Sequence, residues 1–179
     1  VGATENLMLA AILAEGSTRI QNAAQEPEIV DLANFLNSLG ADVNGAGTSE
    51  IVINGVKQDD LHPIEYTTIP DRIEAGTFMT AIIATRGKAI IKGVCPAHLT
   101  FFTDKLLKMG ANIKLIEPNS LEVSCKNRLN SINFVTQPYP GFPTDLQSMA
   151  MTLLSTANGV GIITESLYEN RFMQVPELR

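Results

Sequence analysis

Asp145 is a carboxylate and Arg171 is a guanidinium, and side chains of these two types can do chemistry on hydroxyl and anionic groups. A carboxylate near pH 7 is mostly ionised and can accept the proton of a hydroxyl group, more readily where a partly buried cleft raises its pKa. A guanidinium binds carboxylate and phosphate groups through paired hydrogen bonds. Each residue also has a simpler interpretation, since Asp145 could only cap a helix and Arg171 could be a solvated surface residue.

The segment around Asp145 predicts a turn that leads into a helix. Tyr139–Pro143 contains two prolines and a glycine, which fix the backbone in a turn. The apolar run Leu146–Ala157 follows shortly after. Thr144 and Asp145 are placed to accept hydrogen bonds from the unpaired N–H groups at the start of this predicted helix.

The composition argues against several classes of partner. The chain has 179 residues and a net charge of −6, without a run of like charges or a cluster of Lys and Arg. We therefore expect no nucleic-acid partner and no membrane-surface partner. No apolar stretch approaches the ~18 residues that cross a bilayer. A chain of this length can bury about 70% of its unfolded surface, in one core or in two small ones.

Cysteine and histidine form no metal-binding pattern. Cys95 and Cys125 lie in apolar or strand-like runs, with no second Cys or His at ligand spacing. His62 and His98 are far apart in the sequence. We predict structural, buried thiols, no metal site and no cofactor.

Three apolar runs that each end on a glycine reveal an internal repeat. The glycines Gly16, Gly87 and Gly159 are 71 and then 72 residues apart. Each run predicts a helix with the glycine as its C-cap, because the residue after a helix is often left-handed. A short β-rich run follows each glycine: Ser17–Ile20, Lys88–Lys92 and Val160–Thr164.

The first two repeats continue with a second helix and a strand hairpin. The second helices begin near Pro27 and Pro96 and end at the phrases Leu39–Ala41 and Met109–Ala111. The predicted hairpins pair Asp42–Asn44 with Glu50–Asn54, and Asn112–Ile116 with Leu121–Ser124; Glu65–Ile69 and Ser131–Thr136 supply leading strands.

One unit therefore reads β-α-β-α-β-β. A last helix is predicted over Tyr168–Arg179. The sequence predicts an α+β fold with repeated βαβαββ units, about two and a half of them, and we expect the repeat to continue beyond both ends.

Six phrases spread over the chain resemble the UDP-N-acetylglucosamine 1-carboxyvinyltransferases. They follow the order of that family without long gaps. The phrases are Gly2–Thr4, Asn22–Leu36, Gly45–Thr48, Pro70–Thr77, Pro140–Gln147 and Glu165–Phe172.

The resemblance implies an inside-out barrel of two similar domains, each of three units, with the active site in the cleft between them. Residues 1–69 would be the last unit of one domain and residues 70–179 part of the second. The Thr67–Arg72 region would be the crossover between the domains.

The resemblance also implies a reaction. The enolpyruvyl group of phosphoenolpyruvate is transferred to the 3′-hydroxyl of UDP-N-acetylglucosamine with release of phosphate, the first committed step of bacterial peptidoglycan synthesis in the cytoplasm. Asp145 would lie against the acceptor hydroxyl and Arg171 would face the anionic substrates. The other residues implied to bind substrate are Val1, Gly2, Glu26, Arg72, Leu167 and Tyr168.

Several of these residues have other interpretations. Leu167 and Tyr168 could belong to the core. Glu26 could act only on the dipole of the helix that it precedes. Arg72 could form an inter-domain salt bridge, and Asp71 is a candidate hinge residue.

The family's loop cysteine, a lysine and further arginines match nothing in these 179 residues, and neither Cys95 nor Cys125 lies in the loop motif. We therefore expect the chain alone to be inactive, and to pair with the remainder of its own chain or with itself through open edges. Two alternatives remain open, a shikimate 3-phosphate enolpyruvyl transferase and a non-catalytic repeat module.

Overall fold

The computed structural model describes every residue from Val1 to Arg179. The chain divides into two compact units, Val1–Ile69 and Pro70–Arg179. Each unit has a hydrophobic core of its own. The assignment of the two units to the two domains of an enolpyruvyl transferase stays a prediction.

The first unit packs two helices on a three-stranded antiparallel sheet. The sheet has the order β1-β3-β2, and a short 3-10 turn, Gln58–Asp60, follows it. The core between helices and sheet contains the fully buried Met8, Ile29, Ile51 and Ile53. The elements are α1 (Gly2–Ala11), β1 (Ser17–Gln21), α2 (Pro27–Leu39), β2 (Asp42–Asn44) and β3 (Glu50–Asn54).

The second unit repeats this arrangement and adds a parallel strand pair. Its three-stranded sheet has the order β4-β6-β5, and β7 pairs with β8 in parallel across the helix α5. The elements are α3 (Arg72–Ala84), β4 (Lys88–Lys92), α4 (Thr100–Met109), β5 (Asn112–Glu117), β6 (Ser120–Ser124), β7 (Phe134–Val135), α5 (Gln147–Thr156), β8 (Ile163–Thr164) and α6 (Val175–Leu178).

The register of the two antiparallel sheets confirms the internal repeat. Ser17 of β1 lies opposite Asn54 of β3, and Lys88 of β4 lies opposite Ser124 of β6. In each sheet the last strand in sequence occupies the centre, and both predicted hairpins are present. The predicted α+β class with repeated units is therefore confirmed.

The helix ends differ from the prediction. α1, α3 and α5 end at Ala11, Ala84 and Thr156, several residues before the glycines that were predicted to cap them. After α3 the left-handed residue is Arg86, with φ 54°, and the next residue, Gly87, donates its N–H to Ile82. Left-handed glycine caps do occur, at Gly40 after α2 and Gly110 after α4.

The predicted strand Glu65–Ile69 is wrong. This segment has no regular secondary structure and pairs with no strand. It is held against α2 instead, because the Tyr66 hydroxyl donates to Asp31 Oδ1 at 2.8 Å and the Tyr66 ring packs edge-on against Phe35. Burial and the neighbouring Asp31 carboxylate both raise the pKa of Tyr66.

The third repeat is shorter than predicted. β7 covers only part of Ser131–Thr136, and β8 only part of Val160–Thr164. The predicted helix Tyr168–Arg179 is wrong over most of its length, since only Val175–Leu178 is helical.

The two cysteines differ in their surroundings. Cys125 is buried and donates its thiol to the carbonyl oxygen of Asn127, whereas Cys95 is partly exposed. Burial was therefore predicted correctly for Cys125 alone.

No group of three or more His, Cys, Asp and Glu side chains converges on a common point. None of the helices combines the length and apolar character needed to cross a membrane.

Candidate active site

Asp145 lies on a 3-10 turn, Thr144–Leu146, directly before α5. The next residue, Leu146, is fully buried and packs closely against Gly76 of α3, where an added Cβ would lie 2.7 Å from Leu146 Cδ1. The Asp145 side chain is 56% exposed. The turn is thus anchored in the core by Leu146, and it presents the Asp145 carboxylate to solvent.

Asp145 does not cap α5, contrary to the simpler interpretation. The N-cap of this helix is Leu146, and no side chain accepts a hydrogen bond from its first turn. The Thr144 hydroxyl donates to Glu165 rather than serving the helix. The carboxylate of Asp145 is therefore available for a partner other than the helix.

That partner is Arg171. Its Nη2 atom donates to Asp145 Oδ1, and its Nε atom donates to the carbonyl oxygen of Thr144 at 3.3 Å. The guanidinium carbon also lies 5.5 Å from the centroid of the Tyr168 ring, within range of a cation–π contact. Because the pair is half exposed, it contributes about 1 kcal/mol or less to stability. Its effect is mainly to orient the two side chains.

Glu165 organises the same region and was not predicted as a site residue. Its carboxylate accepts four hydrogen bonds. Oε1 accepts from the Thr136 hydroxyl at 2.7 Å, from Leu167 N at 2.8 Å and from Tyr168 N at 3.1 Å. Oε2 accepts from the Thr144 hydroxyl at 2.9 Å. One carboxylate therefore joins the end of β7, the turn that carries Asp145 and the segment that carries Tyr168.

These hydrogen bonds decide the charge state of Glu165. Burial by itself would raise its pKa, but the hydroxyls of Thr136 and Thr144 and the amides of Leu167 and Tyr168 favour the ionised form. The net result is a pKa below the usual value for glutamate. Glu165 is therefore a carboxylate throughout the neutral range.

Thr136 ties this carboxylate to the sheet. It is fully buried beside β7, and its hydroxyl accepts a hydrogen bond from Ser166 N at 2.8 Å while it donates to Glu165. The Ser166 hydroxyl in turn donates to the Thr136 carbonyl oxygen. The segment after β8 thus continues along β7 through side-chain hydrogen bonds where the strand pairing stops.

A second link joins the start of α5 to the residues after Arg171. Gln147 is fully buried, and its Oε1 atom accepts a hydrogen bond from Gln174 Nε2 at 2.9 Å. Its own Nε2 atom has no hydrogen-bond partner. Together with the pair of Asp145 and Arg171, this bond fixes the position of residues 171–174 relative to α5.

Arg72 lies in the same unit, next to the Tyr139–Pro143 turn. It is the first residue of α3, and its guanidinium carbon lies 5.6 Å from the centroid of the Tyr139 ring. The cavity between them has a volume of about 30 Å³, which holds one water molecule and not a sugar. Asp71, the candidate hinge residue, caps α3 by accepting hydrogen bonds from Ile73 N and Glu74 N.

The remaining predicted residues belong to the first unit. Val1 and Gly2 form the start of α1, and Glu26 precedes the first residue of α2. The hydroxyl of Thr4 accepts a hydrogen bond from Ala24 N at 3.1 Å, so the starts of α1 and α2 lie side by side. All three predicted residues therefore occupy one end of this unit.

The structure thus brings three of the predicted residues together, Asp145, Tyr168 and Arg171. They provide an acceptor for a hydroxyl proton, a cation for an anionic group and an exposed aromatic face, since Tyr168 is 63% exposed. Leu167 is also exposed, so neither it nor Tyr168 belongs to the core. Sequence reasoning missed Glu165 and Thr136, although Glu165 begins one of the phrases that carry the resemblance.

Curated relatives match this chain over nearly its whole length. It is 55% identical over 179 residues to "UDP-N-acetylglucosamine 1-carboxyvinyltransferase 2" of Carboxydothermus hydrogenoformans. The aligned region covers 99% of this chain and 42% of that protein. It is 52% identical over 180 residues to "UDP-N-acetylglucosamine 1-carboxyvinyltransferase" of Thermotoga maritima, again with 42% of that protein covered. The chain therefore spans less than half the length of these relatives.

A solved structure has the same fold. The enolpyruvyl transferase NikO from Streptomyces tendae superposes with a TM-score of 0.87 and 28% sequence identity. The match covers 98% of this chain and 42% of NikO.

A protein-family model also matches this chain. The model of EPSP synthase (3-phosphoshikimate 1-carboxyvinyltransferase) matches residues 1–179, which is the whole chain. The repeated units of this chain and its structural likeness to NikO support the same family assignment as this match. The chain belongs to the EPSP synthase family of enolpyruvyl transferases.

Proposed function

We propose that the full-length gene product transfers the enolpyruvyl group of phosphoenolpyruvate to the 3′-hydroxyl of UDP-N-acetylglucosamine and releases phosphate. The observation that carries this proposal is the identity of 51–55% to relatives named for that reaction, across essentially the whole chain. The reaction would serve cell-wall synthesis, and with it cell shape and division, in the cytoplasm. No metal or other cofactor is part of the proposal.

Asp145 is the proposed catalytic base. Its carboxylate is exposed, and the turn that carries it is fixed by the buried Leu146. A hydroxyl group becomes an effective nucleophile when a positioned acceptor takes its proton in the transition state. Asp145 has one oxygen on Arg171, and its second oxygen remains free for the acceptor hydroxyl.

Arg171 is the proposed contact for the anionic substrates. Its guanidinium uses Nη2 and Nε on the Asp145 turn, which leaves its Nη1 group for a carboxylate or phosphate. Leu167 and Tyr168 expose the surface on which a uridine or sugar ring would pack. The remaining proposed substrate contacts are Val1, Gly2, Glu26 and Arg72.

The alternative is transfer to shikimate 3-phosphate, and it is favoured by the description of the matching family model. Both reactions release inorganic phosphate from phosphoenolpyruvate, so the acceptor separates them. The test measures phosphate release by the full-length gene product with each acceptor in turn, and the mass of the enolpyruvyl product.

Phosphate release with UDP-N-acetylglucosamine alone is the expected result. Release with shikimate 3-phosphate alone would assign the alternative. Release with neither acceptor would overturn enolpyruvyl transfer and favour the reading of a non-catalytic repeat module.

A further inference from the structure

We propose that Glu165 is a positioning residue that fixes the turn carrying Asp145, and through it the place where the acceptor hydroxyl loses its proton. This inference deepens the proposed function and rests on it. Glu165 would not touch the substrate in this role. It would act through Thr144, the residue that precedes Asp145.

The first support is the convergence of three separate chain segments on one carboxylate. Thr136 is 29 residues and Thr144 is 21 residues away from Glu165 in sequence, yet both donate their hydroxyls to it. The amides of Leu167 and Tyr168 complete the set. Hydrogen bonds to an ionised acceptor are about twice as strong as neutral ones. A charged residue with this many partners from different elements fixes those elements relative to one another.

The second support is the division of partners between the two oxygens. Oε1 receives the three donors from Thr136, Leu167 and Tyr168, whereas Oε2 receives the Thr144 hydroxyl. Oε1 therefore connects the end of β7, through Thr136, with the main chain at positions 167 and 168. The contact of Oε2 with Thr144 is the direct bond from Glu165 to the Asp145 turn.

The third support is the position of Thr144 between Glu165 and Arg171. Its side chain donates to Glu165, and its carbonyl oxygen accepts from Arg171 Nε. Arg171 also donates to Asp145. Thr144 is held on both sides, so the backbone of the turn has little freedom to rotate Asp145 away from the site. The core contact of Leu146 with Gly76 fixes the same turn independently of these polar contacts.

The Glu165 side chain has little capacity left for a substrate. A carboxylate offers about two acceptor positions on each oxygen. Three donors crowd Oε1, and Oε2 already accepts from Thr144, so at most one position is left. These contacts therefore do not indicate that Glu165 acts as a second catalytic carboxylate. The contacts indicate a fixed support for the exposed Asp145.

The sharpest test is Thr144→Val in the full-length gene product. Valine has the shape of threonine but lacks the hydroxyl, so this variant removes the Oε2 contact and leaves the three contacts of Oε1 in place. A misplacement of about 1 Å can cost about 100-fold in rate, and we expect kcat to fall about 10-fold to 100-fold. The KM for UDP-N-acetylglucosamine should stay within about 2-fold, since Leu167 and Tyr168 keep their support.

Glu165 itself is tested by two substitutions that differ in length and charge. Glu165→Asp keeps the charge but is one methylene shorter, so it cannot reach both Thr136 and Thr144. Glu165→Gln keeps the length, and its amide can donate to the Thr144 hydroxyl while its oxygen keeps the other three donors. Positioning by geometry predicts a higher kcat for Glu165→Gln than for Glu165→Asp. The opposite order would show that simultaneous reach to Thr136 and Thr144 does not set the position of the turn, and it would overturn the proposal.

Thr152→Val is the matched control. Thr152 is an exposed residue of α5 whose hydroxyl donates to the Ser148 carbonyl oxygen at 3.0 Å, outside the Glu165 contacts. The substitution is chemically the same, and kcat should not change. A kcat for Thr144→Val equal to that of the control would overturn the proposal.

Crystal structures of the wild-type and Thr144→Val proteins separate this inference from the proposed function. A displaced Asp145 carboxylate in the variant supports the positioning role, whether or not the wild type releases phosphate. An unmoved Asp145 overturns it. If the wild type releases no phosphate with either acceptor, the proposed function fails, and the structures still decide the role of Glu165.

Discussion

Arg171 holds the turn at Asp145 at two adjacent points, with Nη2 on the Asp145 carboxylate and Nε on the carbonyl oxygen of Thr144. A guanidinium used in this way recognises the backbone and the side chain together. The bond to Thr144 does not depend on the ionisation of Asp145. The orientation of the arginine is therefore kept when Asp145 accepts a proton.

Asp145→Asn should lower kcat by about 100-fold to 10,000-fold, because an amide cannot accept the proton of the acceptor hydroxyl. The variant keeps a carbonyl oxygen for Arg171, so the fold and the binding of substrate should change little. The measurement is phosphate release at saturating substrate. Asp104→Asn is the control, since this exposed carboxylate of α4 binds Lys108 at 2.7 Å. Unchanged turnover in Asp145→Asn would refute the assignment of the base.

Glu165 should make stability depend on pH. Its pKa is lowered in the folded protein, so its ionised form stabilises the fold at neutral pH, and this contribution is lost as the pH falls through the folded-state pKa. The difference in Tm between the wild type and Glu165→Gln should therefore shrink between about pH 7 and about pH 3. Thermal unfolding across this range measures it. A difference that grows on acidification would contradict the sign derived from the four hydrogen bonds.

Asp71→Ala should destabilise the first turn of α3 by about 1 kcal/mol, the usual loss for an N-cap. The Asp71 carboxylate accepts from Ile73 N at 2.7 Å and from Glu74 N at 3.1 Å, and alanine accepts from neither. Hydrogen exchange at these two amides should accelerate. Asp71→Ser, which restores a capping oxygen, should recover most of the protection, and a failure to do so would argue against the capping role.

Gly76→Ala should destabilise the protein by about 1–3 kcal/mol, although alanine normally favours a helix over glycine. The new Cβ would lie 2.7 Å and 2.9 Å from the two Cδ atoms of Leu146, which is fully buried. Chemical denaturation measures the loss. Adding Leu146→Val, which removes a methylene at the contact, should cost less in the Gly76→Ala background than in the wild type. Additive losses would show that the two residues do not interfere.

Periodicity in the sequence predicted the repeated framework well. Pro27 marked the start of α2, and the hairpin predicted after it matched β2 and β3, because both signals depend on neighbours within a few positions. The strand predicted at Glu65–Ile69 failed for the opposite reason. Its β-branched residues suit a strand, but a strand also needs a partner, and the segment binds α2 through Tyr66.

The candidate site was predictable only in part. The resemblance to a family pointed to Asp145, Tyr168 and Arg171, and the structure brings these three together. The capping role of Asp145 was wrong, because Asp145 is the middle residue of a 3-10 turn and Leu146 takes the N-cap position of the helix. Glu165 could not be found from local pattern, since two of its partners lie more than 20 residues away.

The contacts of Glu165 with positions 167 and 168 involve only their main-chain N–H groups. Any residue except proline supplies the same donor, so the side chains at Leu167 and Tyr168 can be exchanged without loss of the bonds that shape this segment. Both side chains point away from the core and are exposed. The exposed surface at these two positions can therefore change while the hydrogen bonds beneath it stay constant. Under the proposed function, paired substitutions at these two positions are the natural starting point for redesigning which acceptor the full-length gene product uses.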